Sequence, residues 1–433
     1  MNTVTPNSVG PSVFYLQLAL ARSGYRIGTI DGVFGQKTLK GLQDFQRDNN
    51  LFPDGIAGPR TWRKLTPFLT GYALYTLTYS DTIFKLARRY FSTVDAILIA
   101  NPEVNPANLQ VGQRLIIPYT MFDVVSSNVP VTYELLLLWI EGLVARYPFI
   151  RTSSIGNSVS GRSIPELVLG RGNYHVMINA SHHANESLTT TVVMKYCENL
   201  AKSYSFGGFM NEGNNESVSS ISIYNNTMLH IVPLVNPDGV DLVNGYLQES
   251  GSSLYNQAAE LASTYPQIPF PSGWKANIRG VDLNLNYPAG WETAREIKFS
   301  QGFTQPGPRD YVGSAPLTEP ETNAMVRYTG ANLFDITLSY HTQGNVIYWK
   351  FSDYNPPRSF EIGTQLSEAS GYTLELTPPE SAYAGYKDWF IQTYNRPGYT
   401  IECGIGINPL PLSQFDSIYA ANEPLITKAL TAR

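Results

Sequence analysis

Cysteine is almost missing: Cys197 and Cys403 are the only two in 433 residues. That excludes a disulfide scaffold and any metal centre built on a set of thiolates, and both read as buried thiols. Charge is scarce too, with Lys, Arg, Asp and Glu at 15% of the chain and a net charge of −5. No basic run stands out, so nucleic acid is excluded as a partner. No apolar run approaches the roughly 20 residues of a membrane-spanning helix, and no membrane partner is expected. Met1-Asn2-Thr3-Val4-Thr5-Pro6 has neither the basic start nor the apolar core of an export signal. The expected location is cytoplasmic, or associated with the spore or cell wall. Histidine is limited to five residues, His175, His182, His183, His230 and His341, few enough to weigh one by one.

His183-Ala184-Asn185-Glu186 follows directly on the apolar run Val176-Met177-Ile178-Asn179-Ala180, and His341 follows Ile336-Thr337-Leu338-Ser339-Tyr340. A His and a Glu three apart share one side of a turn or helix start. A distant second His completes two nitrogens and a carboxylate, the donor set of a catalytic zinc whose fourth position stays open. His182 competes for the ligand role, but the register to Glu186 favours His183; His175 and His230 sit inside apolar runs and read as core. Late in the chain, Tyr399-Thr400-Ile401 delivers Glu402. An acid inside such a run is costly to bury without a partner, so Glu402 is assigned to function, as the base that a hydrolytic metal needs.

Further segments fall in a telling order: Ile155-Gly156-Asn157-Ser158 with Gly161-Arg162, the His183–Glu186 motif, Asn236-Pro237-Asp238-Gly239, Gly280-Val281-Asp282-Leu283-Asn284, Ser339-Tyr340-His341 and the Glu402 strand. From about Thr132 onward the chain thereby resembles the zinc carboxypeptidase family. The resemblance implies one Zn²⁺ held by His183, Glu186 and His341, with Asp282 orienting the first histidine. It implies that Glu402 takes a proton from the attacking water and returns it to the leaving amine. The cation that polarises the scissile carbonyl is Lys275 by best register, with Arg279 as the alternative.

Departures from the family carry equal weight. Asn284 is followed by Leu285, where exopeptidases of the family place an arginine that grips the substrate's terminal carboxylate; leucine offers no such fork. Asn185 likewise replaces an arginine that many members place before the ligating Glu. Asn284, Asn185 and Leu285 are therefore expected to contact substrate. In the loop from Pro378 to Trp389, Tyr383, Tyr386 and Lys387 are candidates to line the pocket, by similarity to the family's mobile tyrosine loop. Asn236–Gly239 reads as a structural turn and Phe206–Ser220 as a surface loop. Asn244–Ser272 reads as an excursion that walls the cleft.

Two modules precede this part. Ser8 to Leu65 carries helical stretches around two turns, Asp31-Gly32 and Asp54-Gly55, and resembles the peptidoglycan-binding domain found beside cell-wall hydrolases. Tyr72 to Tyr119 reads strand, helix, helix, strand and resembles a LysM domain. Members of that family bind N-acetylglucosamine-containing glycans through loops that fall here near Ser80–Ile83 and Ala107–Val111; Ser80 stands where glycine is usual. The expected domains are 1–68 (helical, peptidoglycan-binding), 69–120 (βααβ LysM) and 121–433 (catalytic). The last is α/β, with a mixed sheet of eight-stranded type flanked by helices.

This arrangement, together with Asn284-Leu285, resembles the bacterial gamma-D-glutamyl-L-diamino acid endopeptidases. It implies hydrolysis of the bond between the side-chain carboxyl of D-Glu and meso-diaminopimelate. Peptidoglycan glycan and stem peptide are the partners, with Lys275, Arg279 and Asn284 available for a substrate carboxylate. The alternatives are a metallocarboxypeptidase or amidase on other peptides, and a wall-binding protein with a silent peptidase domain.

Overall fold

Two glutamines explain why the N-terminal segment carries its Asp-Gly turn twice. Helices α1 (Pro11–Arg22), α2 (Gln36–Asp48) and α3 (Pro59–Thr70) frame the turns. The buried Gln17 of α1 accepts from the N–H groups of Asp31 and Gly32 and donates to Asp31 Oδ1, the Val33 carbonyl and Thr38. Gln46 of α2 repeats the pattern on Gly55, Asp54, Ile56 and Thr61. Each turn is thus closed by one fully satisfied side-chain amide. The computed structural model in which this is seen describes residues 1–433 and divides into two units, Met1–Arg151 and Thr152–Arg433.

Still in the first unit, β1 (Tyr72–Thr76) pairs antiparallel with β2 (Arg114–Pro118), and α4 (Ile83–Arg89) and α5 (Val94–Ala100) lie between them in sequence. Thr82 and Thr93 cap the two helices through their hydroxyls, and Leu77, Ile83, Leu86, Ile97, Leu115 and Ile117 form the core. Ser80 has φ of 69°. A left-handed backbone costs an L-residue about 1–2 kcal/mol, more than the ~0.5–1 kcal/mol of chain entropy that glycine brings. Ser80→Gly is therefore expected to raise the thermal midpoint of this unit; an unchanged or lower midpoint would contradict that balance. Helix α6 (Tyr133–Arg146) completes the unit. Gly142 lets it meet the end of α3, since a Cβ there would lie 2.0 Å from the Thr70 carbonyl oxygen.

The second unit is built on an eight-stranded mixed sheet flanked by helices. Its strands are β3 (Arg151–Asn157), β4 (Ser163–Gly170), β5 (Tyr174–Ala180), β8 (Thr227–Val232), β9 (Ile336–His341), β10 (Val346–Tyr348), β11 (Thr373–Glu375) and β12 (Gly398–Glu402). Their order is β11-β10-β12-β9-β5-β8-β4-β3. The central strands β12, β9, β5 and β8 run parallel, whereas β10 against β12 and β4 against β8 are antiparallel. All six residues of β9 are buried, the polar Thr337, Ser339 and His341 included, because both faces of this central parallel strand are covered.

The Phe206–Ser220 segment, expected as a loop, is instead a two-stranded hairpin, β6 (Phe209–Gly213) with β7 (Glu216–Ser219). Asn214 and Asn215 both have positive φ, 52° and 63°, the requirement of a tight hairpin turn. That Asn-Asn pair was the signal in the sequence.

Candidate active site

Three parallel neighbours, β5, β9 and β12, end side by side, and their carboxyl ends deliver the candidate ligands and acid. This is where sites gather in open α/β sheets. His341 is the last residue of β9 and lies directly opposite Glu402, the last of β12. At the end of β5 the chain turns sharply at Ser181, whose φ is 53°; the turn is held by Thr189 Oγ1 on its N–H and by Asn236 N–H on its carbonyl. A short 3₁₀ turn, Ala184–Glu186, then follows His183. His182 goes the other way, into the core against the Tyr287 hydroxyl at 2.9 Å. His175 and His230 stack on each other away from the site, with His230 bonded to Tyr328. Asn236 caps the helix Pro237–Val243 and donates to the carbonyls of His182 and Ala276, so this structural turn also ties the ligand segment to the one carrying Lys275.

His183 Nδ1 lies 3.0 Å from Glu186 Oε1, His341 Nδ1 3.0 Å from Glu186 Oε2, and the two Nδ1 atoms are 3.1 Å apart. The other ring nitrogen of His183 faces Asp282 Oδ1 at 3.0 Å. A proton held there leaves the Nδ1 lone pair pointing at a carboxylate and a second imidazole. Three such electron-rich atoms converge favourably only around a cation. His183, Glu186 and His341 form the one cluster in the chain with the donors and spacing for a metal ion, and the set suits zinc.

The electrostatics agree. Burial works against the Glu186 carboxylate, but His183 and Lys275 hold its pKa well below the usual range. Asp282 is held low in the same way, by His183 and Lys275. His341 is pulled below its ordinary value by burial, which Glu186 only partly offsets, and a neutral imidazole is the ligating form. The Glu402 carboxylate makes no hydrogen bond in the protein, and burial together with the negative charge of Glu186 pushes it up to about 8, against Lys275 and His183.

A cavity of about 730 Å³ opens over these groups. Lys275, Asn185, Asn284, Leu285 and Lys387 line it together with His183, Asp282 and Glu402. So do Gln267, Ile268, Pro269 and Ser272, as expected of the Asn244–Ser272 excursion. Lys275 Nζ lies 3.2 Å from Glu186 Oε1. Asn185 donates to the Ser272 carbonyl while its Oδ1 is buried without a partner. Asn284 Oδ1 accepts from the Tyr386 N–H. Leu285 packs with Trp291, Ala294, Val312 and Ala384.

Three expected residues are not brought to the cavity. Arg279 is more than half exposed and turns to Glu319. Tyr386 is fully buried, its hydroxyl on Thr329 and its ring against Tyr287 and Phe390. Tyr383 packs on the apolar cluster beneath Leu285. Other residues were missed. Asn408 donates to Glu186 Oε1 and to the Thr342 carbonyl, and the Thr342 N–H donates to Glu186 Oε2. Lys298, Arg309 and Tyr348 line the cavity. Thr342 directly follows the ligand His341, but Asn408, Lys298, Arg309 and Tyr348 lie in no motif, and only the folded chain brings them near.

Residues 136–419 match the zinc carboxypeptidase family, 9–65 the peptidoglycan binding domain and 75–118 the LysM domain. The chain belongs to the zinc carboxypeptidase family, and its fold and His–Glu–His cluster are those of a zinc metallopeptidase. It is 41% identical over 396 residues to gamma-D-glutamyl-L-diamino acid endopeptidase 1 of Lysinibacillus sphaericus, covering 79% of this chain and 94% of that protein. It is also 41% identical over 298 residues to the Bacillus subtilis (strain 168) protein YqgT, covering 67% and 74%. Among solved structures, bovine thrombin-activatable fibrinolysis inhibitor shares the fold at a TM-score of 0.53 and 17% identity, over 71% of this chain and 98% of that one. The two N-terminal domain matches imply an interaction with peptidoglycan. No helix is long and apolar enough to cross a membrane.

Proposed function

We propose that the chain hydrolyses the amide between the side-chain carboxyl of D-glutamate and meso-diaminopimelate in peptidoglycan stem peptides. The observation that carries this reading is Leu285, built into an apolar cluster on the cavity wall where an exopeptidase would need a carboxylate-gripping arginine. The similarity to the Lysinibacillus sphaericus endopeptidase over nearly its whole length supports it. Cleavage at this bond does not call for a plain peptide C-terminus.

His183, Glu186 and His341 are the residues that would hold a zinc ion, which when bound supplies Lewis acidity to the carbonyl and makes water acidic enough to attack near neutrality. Asp282 fixes the ring of His183, and Asn408 and the Thr342 N–H fix the carboxylate of Glu186. Glu402, unpaired at the cavity floor, accepts a proton from the attacking water and passes it to the leaving amine. Lys275 offers a positive charge to the oxygen on which negative charge develops. The N-terminal modules hold the enzyme on a repeating glycan, so that each stem peptide is met at high effective concentration.

Mass spectrometry of L-Ala-γ-D-Glu-meso-diaminopimelate incubated with the zinc-loaded protein tests the reading. Release of L-Ala-D-Glu that EDTA stops is the expected result. Intact tripeptide beside trimming of ordinary C-terminal residues would replace it with exopeptidase action.

A further inference from the structure

Four cations other than the histidines reach the cavity: Lys275, Lys298, Arg309 and Lys387. Three are already occupied. Lys275 pairs with Glu186. The buried Lys387 is used up by Asp388, the Lys350 carbonyl and Thr377. Lys298 lies 2.9 Å from Asp310 Oδ1 and is largely buried. Arg309 differs, because only its Nε is engaged, by Asp310 Oδ2. Both terminal nitrogens of its guanidinium are without a protein partner, and two-fifths of the side chain is exposed.

Backbone bonds set Arg309 beside the reacting groups. The N–H groups of Lys275 and Ala276 both donate to the Pro308 carbonyl, and the Asp282 N–H donates to the Tyr311 carbonyl. In return the Asp310 N–H donates to Asp282 Oδ2, on the same carboxylate that holds His183. The segment 308–311 is thus laced between the Lys275 strand of chain and the residue behind the first metal ligand. Asp310, itself pinned by Lys298, holds one edge of the guanidinium and leaves the other edge to the cavity.

We infer that Arg309 is the carboxylate receptor of this enzyme, gripping one of the substrate carboxylates that flank the scissile amide through its two terminal nitrogens. The inference rests on the stem-peptide reading, in which a carboxylate lies on each side of the bond: the α-carboxylate of D-glutamate, at the other end of that residue from the scissile carbonyl, and the carboxylate of the diamino acid, on the carbon that bears the scissile nitrogen. It moves the substrate's anchor from Lys275, Arg279 and Asn284 to a residue outside every motif. A planar fork fixed at Nε is preorganised for two parallel hydrogen bonds. It also supplies the charge that Leu285 does not.

The test is calorimetric binding to the full-length, zinc-loaded chain in a Glu402→Gln background, which keeps the peptide whole. The probes are L-Ala-γ-D-Glu-meso-diaminopimelate and its two monoamides, one blocked on the D-Glu carboxylate and one on the diaminopimelate carboxylate nearest the scissile amide. Arg309→Gln is expected to weaken binding of the free acid about 10- to 100-fold, the range of a hydrogen bond to a charged group. It should not weaken binding of the one monoamide whose block removes the gripped carboxylate, and that identifies its source. Arg309→Lys, which keeps a partner for Asp310 but lacks the fork, should fall between, and an unchanged thermal midpoint in either variant excludes misfolding. Equal losses for the acid and both monoamides, or no loss, would overturn the assignment. Wild-type cleavage of the tripeptide is scored separately: no cleavage with Arg309-dependent carboxylate binding would sink the stem-peptide reading and leave the receptor standing.

Discussion

Glu402→Gln is expected to lower turnover by roughly 10²- to 10⁴-fold, the usual worth of a positioned general acid–base group, while bound zinc stays at the wild-type level. The reasoning is geometric. Glu402 ends β12 opposite His341, lines the cavity and has no hydrogen-bond partner in the protein, so its carboxylate holds nothing together. Glutamine has the same shape and cannot accept a proton from water. Burial and the neighbouring Glu186 raise the Glu402 pKa to about 8, which makes it a stronger base than an ordinary carboxylate; positive charge entering the His–Glu–His cluster would bring it back down. Zinc content by atomic emission and turnover of the tripeptide check the two halves together. Full activity in Glu402→Gln would remove the acid from the mechanism, and loss of zinc would make it a structural residue.

Removal of the metal is expected to have a second, pH-dependent signature. His341→Ala should lose both zinc and turnover, because it deletes one of the three converging donors. In EDTA-treated wild-type protein, burial opposes a charge on His183, but Glu186 and Asp282 outweigh it and raise its pKa to about 9, against about 6.5 in an unfolded chain. A raised histidine contributes stability that is full below about pH 6.5 and lost as pH climbs through 9. Glu402 acts in the same direction: with its pKa raised to about 8 by burial first and Glu186 second, the folded state is penalised increasingly from about pH 4.5 to 8. The thermal midpoint of the metal-free chain should therefore fall between pH 6 and 9, while the zinc-loaded chain, with the ion in place of the proton, changes less. The gap between the two should widen with pH. A gap that narrows would show that a proton does not substitute for the metal at this cluster.

What the sequence carried was whatever repeats or has a fixed period. Apolar runs ending in His183, His341 and Glu402 announced strands with chemistry at their ends. The three-residue spacing from His183 to Glu186 chose the ligand over His182, and the twofold Asp-Gly pattern announced a helical module. The Asn-Asn turn of the β6–β7 hairpin is legible too, but the Asn- and Ser-rich composition around it is equally that of a loop.

The sequence by itself carried the class of fold and the candidate metal donors, because strand-like runs and the His183–Glu186 spacing are local and survive without knowledge of packing, while the absence of an arginine at Leu285 was legible only through the resemblance to the zinc carboxypeptidase family. Tertiary structure alone decided that Arg279 turns away from the cavity, that Tyr386 is core and the half-buried Tyr383 packs against it, and that Asn408, Lys298 and Arg309 reach the cavity. Lys275, Arg279, Tyr383, Arg309 and Asn408 sit on loops, and Lys298 and Tyr386 on helices, all placed by contacts between segments far apart in sequence, such as the backbone bond of Lys275 to Pro308. Nothing in a one-dimensional pattern says which side of such a loop turns inward.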